Sequence, residues 1–269
     1  MNDISPIFHE ETETTSLDSV EDIVMSVSTS FPPGSHPSET DLILSSLDGV
    51  VFCVHTDIIN KASPSALAAV LSFSNPGIVG GVIFIPEPAT ILNILLHTLY
   101  NSSCAPNSPS TDDLIAAVDK MPLYGMDPKS FIIPESPLYT LLLSRAPLHP
   151  LDIFALASHH NIPDLAVQTS SHLLGFNLDT ISDEYATRIG PANLRRLFVL
   201  HMKRVQMLRS LLLQPPTLHP LTKKCDVGSQ KALTRLWAMG STYLVWDVQP
   251  GTCYVLFNAE KHFDLHCPF

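Results

Sequence analysis

A chain of 269 residues is long enough for two modest domains, or one large one, with a real hydrophobic core. Its composition is globular, 45% apolar and 15% charged, and a formal net charge of -11 argues against the basic face that a duplex-DNA binder presents. Five cysteines without a CxxC pair imply no disulfide framework, and no apolar run reaches the length needed to span a membrane.

The 23 prolines predict a chain cut into short segments by rigid turns. The acidic start "MNDISPIFHEETETT" lacks a basic-then-apolar signal pattern, so the expected location is intracellular, in cytoplasm or nucleus. Residues 1–38 are rich in Ser, Thr, Glu and Pro and read as a disordered acidic arm. From Asp41 the texture changes. "DLILSS" and "GVVFCVH" are short β-rich runs joined through Asp48-Gly49, a tight-hairpin signal because glycine tolerates positive φ. Phe52 and Val54, or Val51 and Cys53, are the candidates to enter the core from the second run. "TDIINKAS" predicts a short helix with Thr56 as N-cap and Asp57 in its first turn. "PSALAAVLSF" predicts another, ended by Asn75-Pro76-Gly77.

A third strand, "GVIFI", stops at Pro86 and Pro88, and "ATILNILLHTLY" then returns to helical spacing through Ile91, Leu95 (or Ile94) and Leu99 (or Thr98). "STDDLIAAVDKM" is a helix capped by Ser110 or Thr111, and "SPLYTLLLSRA" a short one closed by Pro147. "PLDIFALASHH" begins at Pro150 and stops at Asn161, while "IPDLAVQTSSHLLG" runs from Pro163 to near Gly175. In "PANLRRLFVLHMKRVQMLRSLLLQPP", Leu194, Phe198, His201, Val205, Leu208 and Leu212 are expected to form one apolar face. Arg195, Arg196, Lys203 and Arg204 lie off that stripe as a candidate partner-binding set. A last helix is expected around "SQKALTRLWAMGSTYLVW". Charge is divided along the chain. Residues 1–60 hold eleven Asp or Glu and no Lys or Arg, whereas 188–235 hold ten Lys or Arg and one acid, so the two regions can attract each other or separate partners.

These elements predict an α+β fold, a small sheet (hairpin plus third strand) flanked by helices and followed by an all-helical extension. Their order resembles the BTB/POZ family. The pattern Asp41-x10-Phe52-x2-His55-x7-Ser63, with the Asp48-Gly49 hairpin inside, is similar to the opening of that domain. "IFIPEPATILNILLHTLYNSS", with its helix ending in Leu99-Tyr100, and "DDLIAAVDKMPLYGM" resemble the segments that follow. "FALASHHNIPDLAVQTSSHLL" and "IGPANLRRLFVLHMKR" are similar to extensions in many fungal BTB-domain proteins. Ala66 stands where the family usually has an aromatic residue. "SFSNPGIVGG" lacks the Glu of the hydrophobic-x-Glu motif with which some members bind a cullin scaffold. The resemblance divides the chain into an arm (1–38), a BTB/POZ-like domain (39–145), a helical extension (146–214) and a C-terminal helix with tail (215–269). It implies a non-enzymatic protein-interaction module that pairs with itself through Asp41 to Ser63. Its alternatives are an adaptor of a cullin-type ubiquitin ligase and a transcriptional regulator without a DNA-reading domain.

Other chemistry finds weaker support. Cys53, His55 and Asp57 alternate as a strand would align a nucleophile and base, but Thr56 and Pro64 put His55 at a strand-to-helix corner, and Cys53 sits in an apolar run. Among Cys253, His262, His266 and Cys267, with His219 and Cys225 upstream, His262 and His266 stand one helical turn apart as zinc ligands do, but the first pair, Cys253 and His262, lacks the tight spacing of a structural zinc site. His159 and His160 are adjacent on a helix, so their rings are expected to diverge. No aromatic stacking platform accompanies the basic helix, which disfavours nucleic acid. The expectation is a chain with no catalytic residue, metal or cofactor.

Overall fold

A computed structural model describes residues 26–34, 40–72 and 81–246. Its sheet contains β1 (Ser26–Val27), β2 (Leu42–Ser45), β3 (Val50–Val54) and β4 (Val82–Phe84), in the order β1-β3-β2-β4. The hairpin β2–β3 is antiparallel, turning at Asp48-Gly49 with Gly49 at φ +77°, while β1 joins β3 and β4 joins β2 in parallel. Register explains the core face. Leu44 sits opposite Phe52 on one side and Ile83 on the other, and all three are buried. Side chains at such directly paired positions share a face of the pleat. Both alternatives for β3 are partly realised, since Phe52, Val54 and Cys53 are all buried and Val51 is half-buried.

The folded chain begins earlier than residue 39. Ser26–Val27 forms the outermost strand, and Phe31 is 5% exposed, with its ring 6.2 Å from Phe52 and 5.2 Å from Tyr100. Two residues of strand and one aromatic are too short a signal to stand out of a Ser- and Pro-rich stretch. Residues 1–25 and 35–39, which hold the rest of the expected arm, lie outside the described residues.

The helices follow as α1 (Thr56–Ala62), α2 (Pro64–Ser72), α3 (Ala89–Leu99), α4 (Thr111–Lys120), α5 (Pro128–Phe131), α6 (Pro137–Arg145), α7 (Pro150–His159), α8 (Pro163–Ser170), α9 (Asp183–Ile189), α10 (Pro191–Leu212) and α11 (Val227–Trp246). Proline opens six of these, where its missing N–H has no intrahelical acceptor to lose. Ser110 and Asp113 form a reciprocal capping box on α4, so Ser110 rather than Thr111 is the cap. The helix expected to continue to Gly175 stops at Ser170 and passes into a 3-10 turn, His172–Gly175. Helix α3 is buried on nearly all sides, from Ile91 to Leu99, so it belongs to the core.

One apolar cluster runs without interruption from Phe31 through Ala146, Ile153, Leu156 and Ala157 to Ile162 and Leu165. A boundary at 145–146 therefore cuts through a core. Helix α7 has a second inward side, where Phe154 and Ala155 join Leu173, Ile189 and Leu197 in a smaller cluster. This satellite core carries α9 and the first half of α10.

Candidate functional site

Asp41, Asp48, His55, Ser63 and Tyr100, the polar residues of the pattern that resembles the BTB/POZ opening and its following helix, make joints between the hairpin and its helices. Helix α1 starts at Thr56, preceded by His55, and α3 starts at Ala89, preceded by Pro88; neither preceding side chain caps its helix. Two carboxylates of the hairpin do so from a distance. Asp41 Oδ1 accepts the Thr56 N–H at 2.8 Å, and Asp48 Oδ1 accepts the Ala89 N–H at 2.8 Å. Thr56 is thus the first helical residue and not its own cap. Each carboxylate also meets the positive end of a helix. The Thr56 N–H holds the Asp41 carboxyl below its ordinary value of 3.8 against the opposing effect of burial. At Asp48 burial acts upward, but the hydrogen bonds from Ser46 Oγ and Ala89 N–H outweigh it and the carboxyl again lies low.

His55 and Tyr100 form the third joint. The Tyr100 hydroxyl accepts the His55 backbone N–H at 2.8 Å and lies 2.9 Å from His55 Nδ1. With its lone pair engaged, the hydroxyl has its proton to give to Nδ1, which suits a ring protonated at Nε2. Burial, opposed by the His55 N–H, pushes the Tyr100 phenol up to about 12. Ser63 makes the fourth joint. Its Oγ accepts from Ala66 N–H at the start of α2 and donates to the Gly125 carbonyl, 3.2 Å in each case. Gly125 has φ +65°, and a Cβ there would come 2.6 Å from the Ser65 carbonyl oxygen, so only glycine fits the turn. Phe52 is 1% exposed in the main core. The motif is architecture. Of the trio considered for catalysis, His55 places Nδ1 against the Tyr100 hydroxyl, Cys53 is buried and Asp57 is exposed on α1.

The basic set on α10 divides in two. Arg195, Arg196 and Lys203 are exposed, and Arg196 Nη1 donates to Asn193 Oδ1 at 2.9 Å. Arg204 is half-buried and donates to the Leu174 carbonyl, so it tethers α10 to the satellite core. The apolar stripe also differs from the expected one. Leu197 and His201 are its buried residues, Leu194, Val205, Leu208 and Leu212 are half-buried, and Phe198 is 44% exposed. Histidine fits this face because burial lowers its pKa below 6.5 and keeps it neutral near pH 7. Outward, α10 and α11 leave Met202, Met207, Met239 and Tyr243 exposed by 66–72%. Beside this surface, α7, α8 and α10 enclose a groove of about 240 Å³ over Ile162, Ala166, Leu197 and Leu200, with Val167 and Arg196 at its sides.

Two polar joints carry no local sequence signal, because their partners are 33 to 69 residues apart. Glu87, 6% exposed, accepts from Lys120 Nζ at 2.8 Å and from the Tyr124 hydroxyl at 3.3 Å. Burial and the neighbouring Glu87 carboxylate raise the Tyr124 phenol. Asp119 on α4 takes Arg188 Nη2 of α9 at 2.7 and 2.9 Å and His160 Nε2, just past α7, at 2.7 Å. The His159 and His160 rings do not diverge but meet edge to face, 4.8 Å between centroids. Asp119, His159 and His160 bring three donor atoms within 4.8 Å of one another, the one such group among the described residues. Arg188 already neutralises both carboxylate oxygens, and the bonds from His160 and Arg188 overcome burial to hold Asp119 low. That is an ion-pair joint between helices rather than a metal centre. Cys253, His262, His266 and Cys267 lie outside the described residues, as does most of "SFSNPGIVGG". Among the described residues no helix is long and apolar enough to cross a membrane. In comparisons with known proteins, no family model, no curated protein and no solved structure matches the chain.

Proposed function

We propose that this chain is a protein-interaction module of the BTB/POZ kind, working through its surfaces and without catalysis. The observation that carries this reading is the disposition of its polar groups. Every residue of the motif that bears chemistry, from Asp41 to Tyr100, bonds a backbone group or side chain of the same fold. On α10 and α11 the outward face is apolar and basic. Exposed large apolar side chains over two consecutive helices mark a binding surface more often than an idle one. Among the described residues the two outer strands, β1 and β4, each pair on one side only, and Val27 and Phe84 on them are 49% and 46% exposed. Such edges are suited to pairing with a second copy.

The test is size-exclusion chromatography with light scattering at tens of micromolar. The expected mass is twice the 29.5 kDa of one chain, and Val27→Lys with Phe84→Lys shifts it toward one. A strict monomer overturns self-pairing. A wild-type pull-down that retains a cullin N-terminal domain would favour the ligase-adaptor alternative instead.

A further inference from the structure

The groove between α8 and α10 has an apolar floor and a basic margin. Ile162, Ala166, Leu197 and Leu200 line it, and Arg196 stands at its side. From that margin the outer face of α10 continues through Val199 and Met202, 38% and 70% exposed, with Arg195 and Lys203 also exposed alongside. A ligand for this surface must be apolar and anionic together. Stacking the same face of a second copy against it would set like charges opposite one another, which costs free energy on desolvation.

We infer that this groove and the adjoining face of α10 bind residues 1–25 of the same chain. That segment holds seven Asp or Glu and no Lys or Arg, interleaved with apolar residues. Ile4, Ile7 and Phe8 precede Glu10 and Glu11, while Leu17, Val20 and Ile23 stand among Asp18, Glu21 and Asp22. The apolar side chains fill the groove and the carboxylates meet Arg195, Arg196 and Lys203. Reach is not limiting. The described chain resumes at Ser26, and 25 extended residues span ~80 Å, against a diameter of ~45 Å for a compact chain of this size. Attachment in the same chain supplies an effective concentration of roughly millimolar, so modest contacts suffice. Occupancy by this segment makes the surface available only when a competing acidic, apolar segment displaces it.

The experiment is zero-length carboxyl-to-amine cross-linking of the full chain, read by mass spectrometry on a mixture of ¹⁴N- and ¹⁵N-labelled protein. The expected result is links from Glu10, Glu11 or Asp18 to Lys203 within single chains. Their yield should exceed at least fivefold that of links to the exposed Lys61 and Lys129, and should fall at least fivefold in Arg195→Glu/Arg196→Glu. Equal yields at all three lysines overturn the inference, and so do links joining ¹⁴N to ¹⁵N chains, which assign the segment to a second copy. Hydrogen exchange of the full chain gives an independent readout. Converting the seven acids of residues 1–25 to Asn or Gln should speed exchange at least threefold in peptides covering 163–170 and 193–203. Unchanged exchange there overturns the inference. Neither readout depends on self-pairing through the sheet edges, so the two ideas fail separately.

Discussion

At the scale of single residues, His55 and Tyr100 show how a side chain that suggests chemistry becomes structure. Tyr100→Phe leaves the His55 N–H and Nδ1 without the hydroxyl between them. The expected loss is about 0.5–1.5 kcal/mol in urea denaturation, the usual net contribution of a hydrogen bond. The pH dependence has a definite sign. The Tyr100 phenol lies at about 12 in the fold against 10.0 in an unperturbed tyrosine, so the folded state holds its proton more tightly. This contribution is complete below pH 10 and is lost as pH rises through 12. Stability should fall across that window and fall less steeply in Tyr100→Phe. Tyr185, raised to about 12 chiefly by its bond to Asp152, maintains a remaining slope. The low carboxyls of Asp41 and Asp48 act at the other end. Their contribution is present above 3.8 and disappears as pH drops below it.

At the scale of elements, the hairpin orders the helices around it. Asp41 caps α1 and Asp48 caps α3, so one strand pair fixes two helix starts at once. Asp41→Ala and Asp48→Ala should each cost about 1 kcal/mol, as loss of a cap does. Because they serve different helices, the double variant should lie within ~0.5 kcal/mol of their sum; a clear excess in a urea series would mean that the helices are coupled through the hairpin. Farther along, Asp119 joins α4 to α9 and to the end of α7. Asp119→Asn weakens two charge-assisted bonds and should cost roughly 1–3 kcal/mol. Hydrogen exchange in α9 should then rise before that of the sheet; uniform acceleration would show that the joint supports the whole fold.

For the whole molecule, the uninterrupted core makes a strong claim. A chain truncated after Ala146 loses Ile153, Leu156, Ile162 and Leu165 from the main cluster and leaves the surfaces they cover bare. A fragment of residues 26–146 should therefore bind a hydrophobic dye and lack a cooperative thermal transition, whereas one ending at Gln214 should melt cooperatively. A sharp transition in the shorter fragment would restore the boundary at 145–146. The same view explains the division of surfaces, with Asp41, Asp48 and Glu87 engaged in joints of the sheet half and a basic, apolar face carried outward on α10 and α11.

Much of the local structure is legible in the residues themselves. The Asp-Gly turn, the alternation in "GVVFCV" and the proline-opened helices each express a preference of a few neighbouring residues. The order from β2 to β4 and of the longer helices, and with it the α+β class, follows from those preferences, whereas β1 and the short helices α5 and α9 do not. The partners of Asp41, Asp48 and Asp119 do not, because a carboxylate's worth as a cap or an ion pair depends on which helix end or cation the fold brings to it. Phe31 likewise becomes core only once β1 lies beside β3, and Arg204 leaves its basic group only once Leu174 approaches. The sequence by itself determined that the chain builds a small sheet with many short helices and divides its charge between its ends. Tertiary structure alone decided which charges are consumed in joints and which face outward, because long-range contacts desolvate some groups and leave others in water.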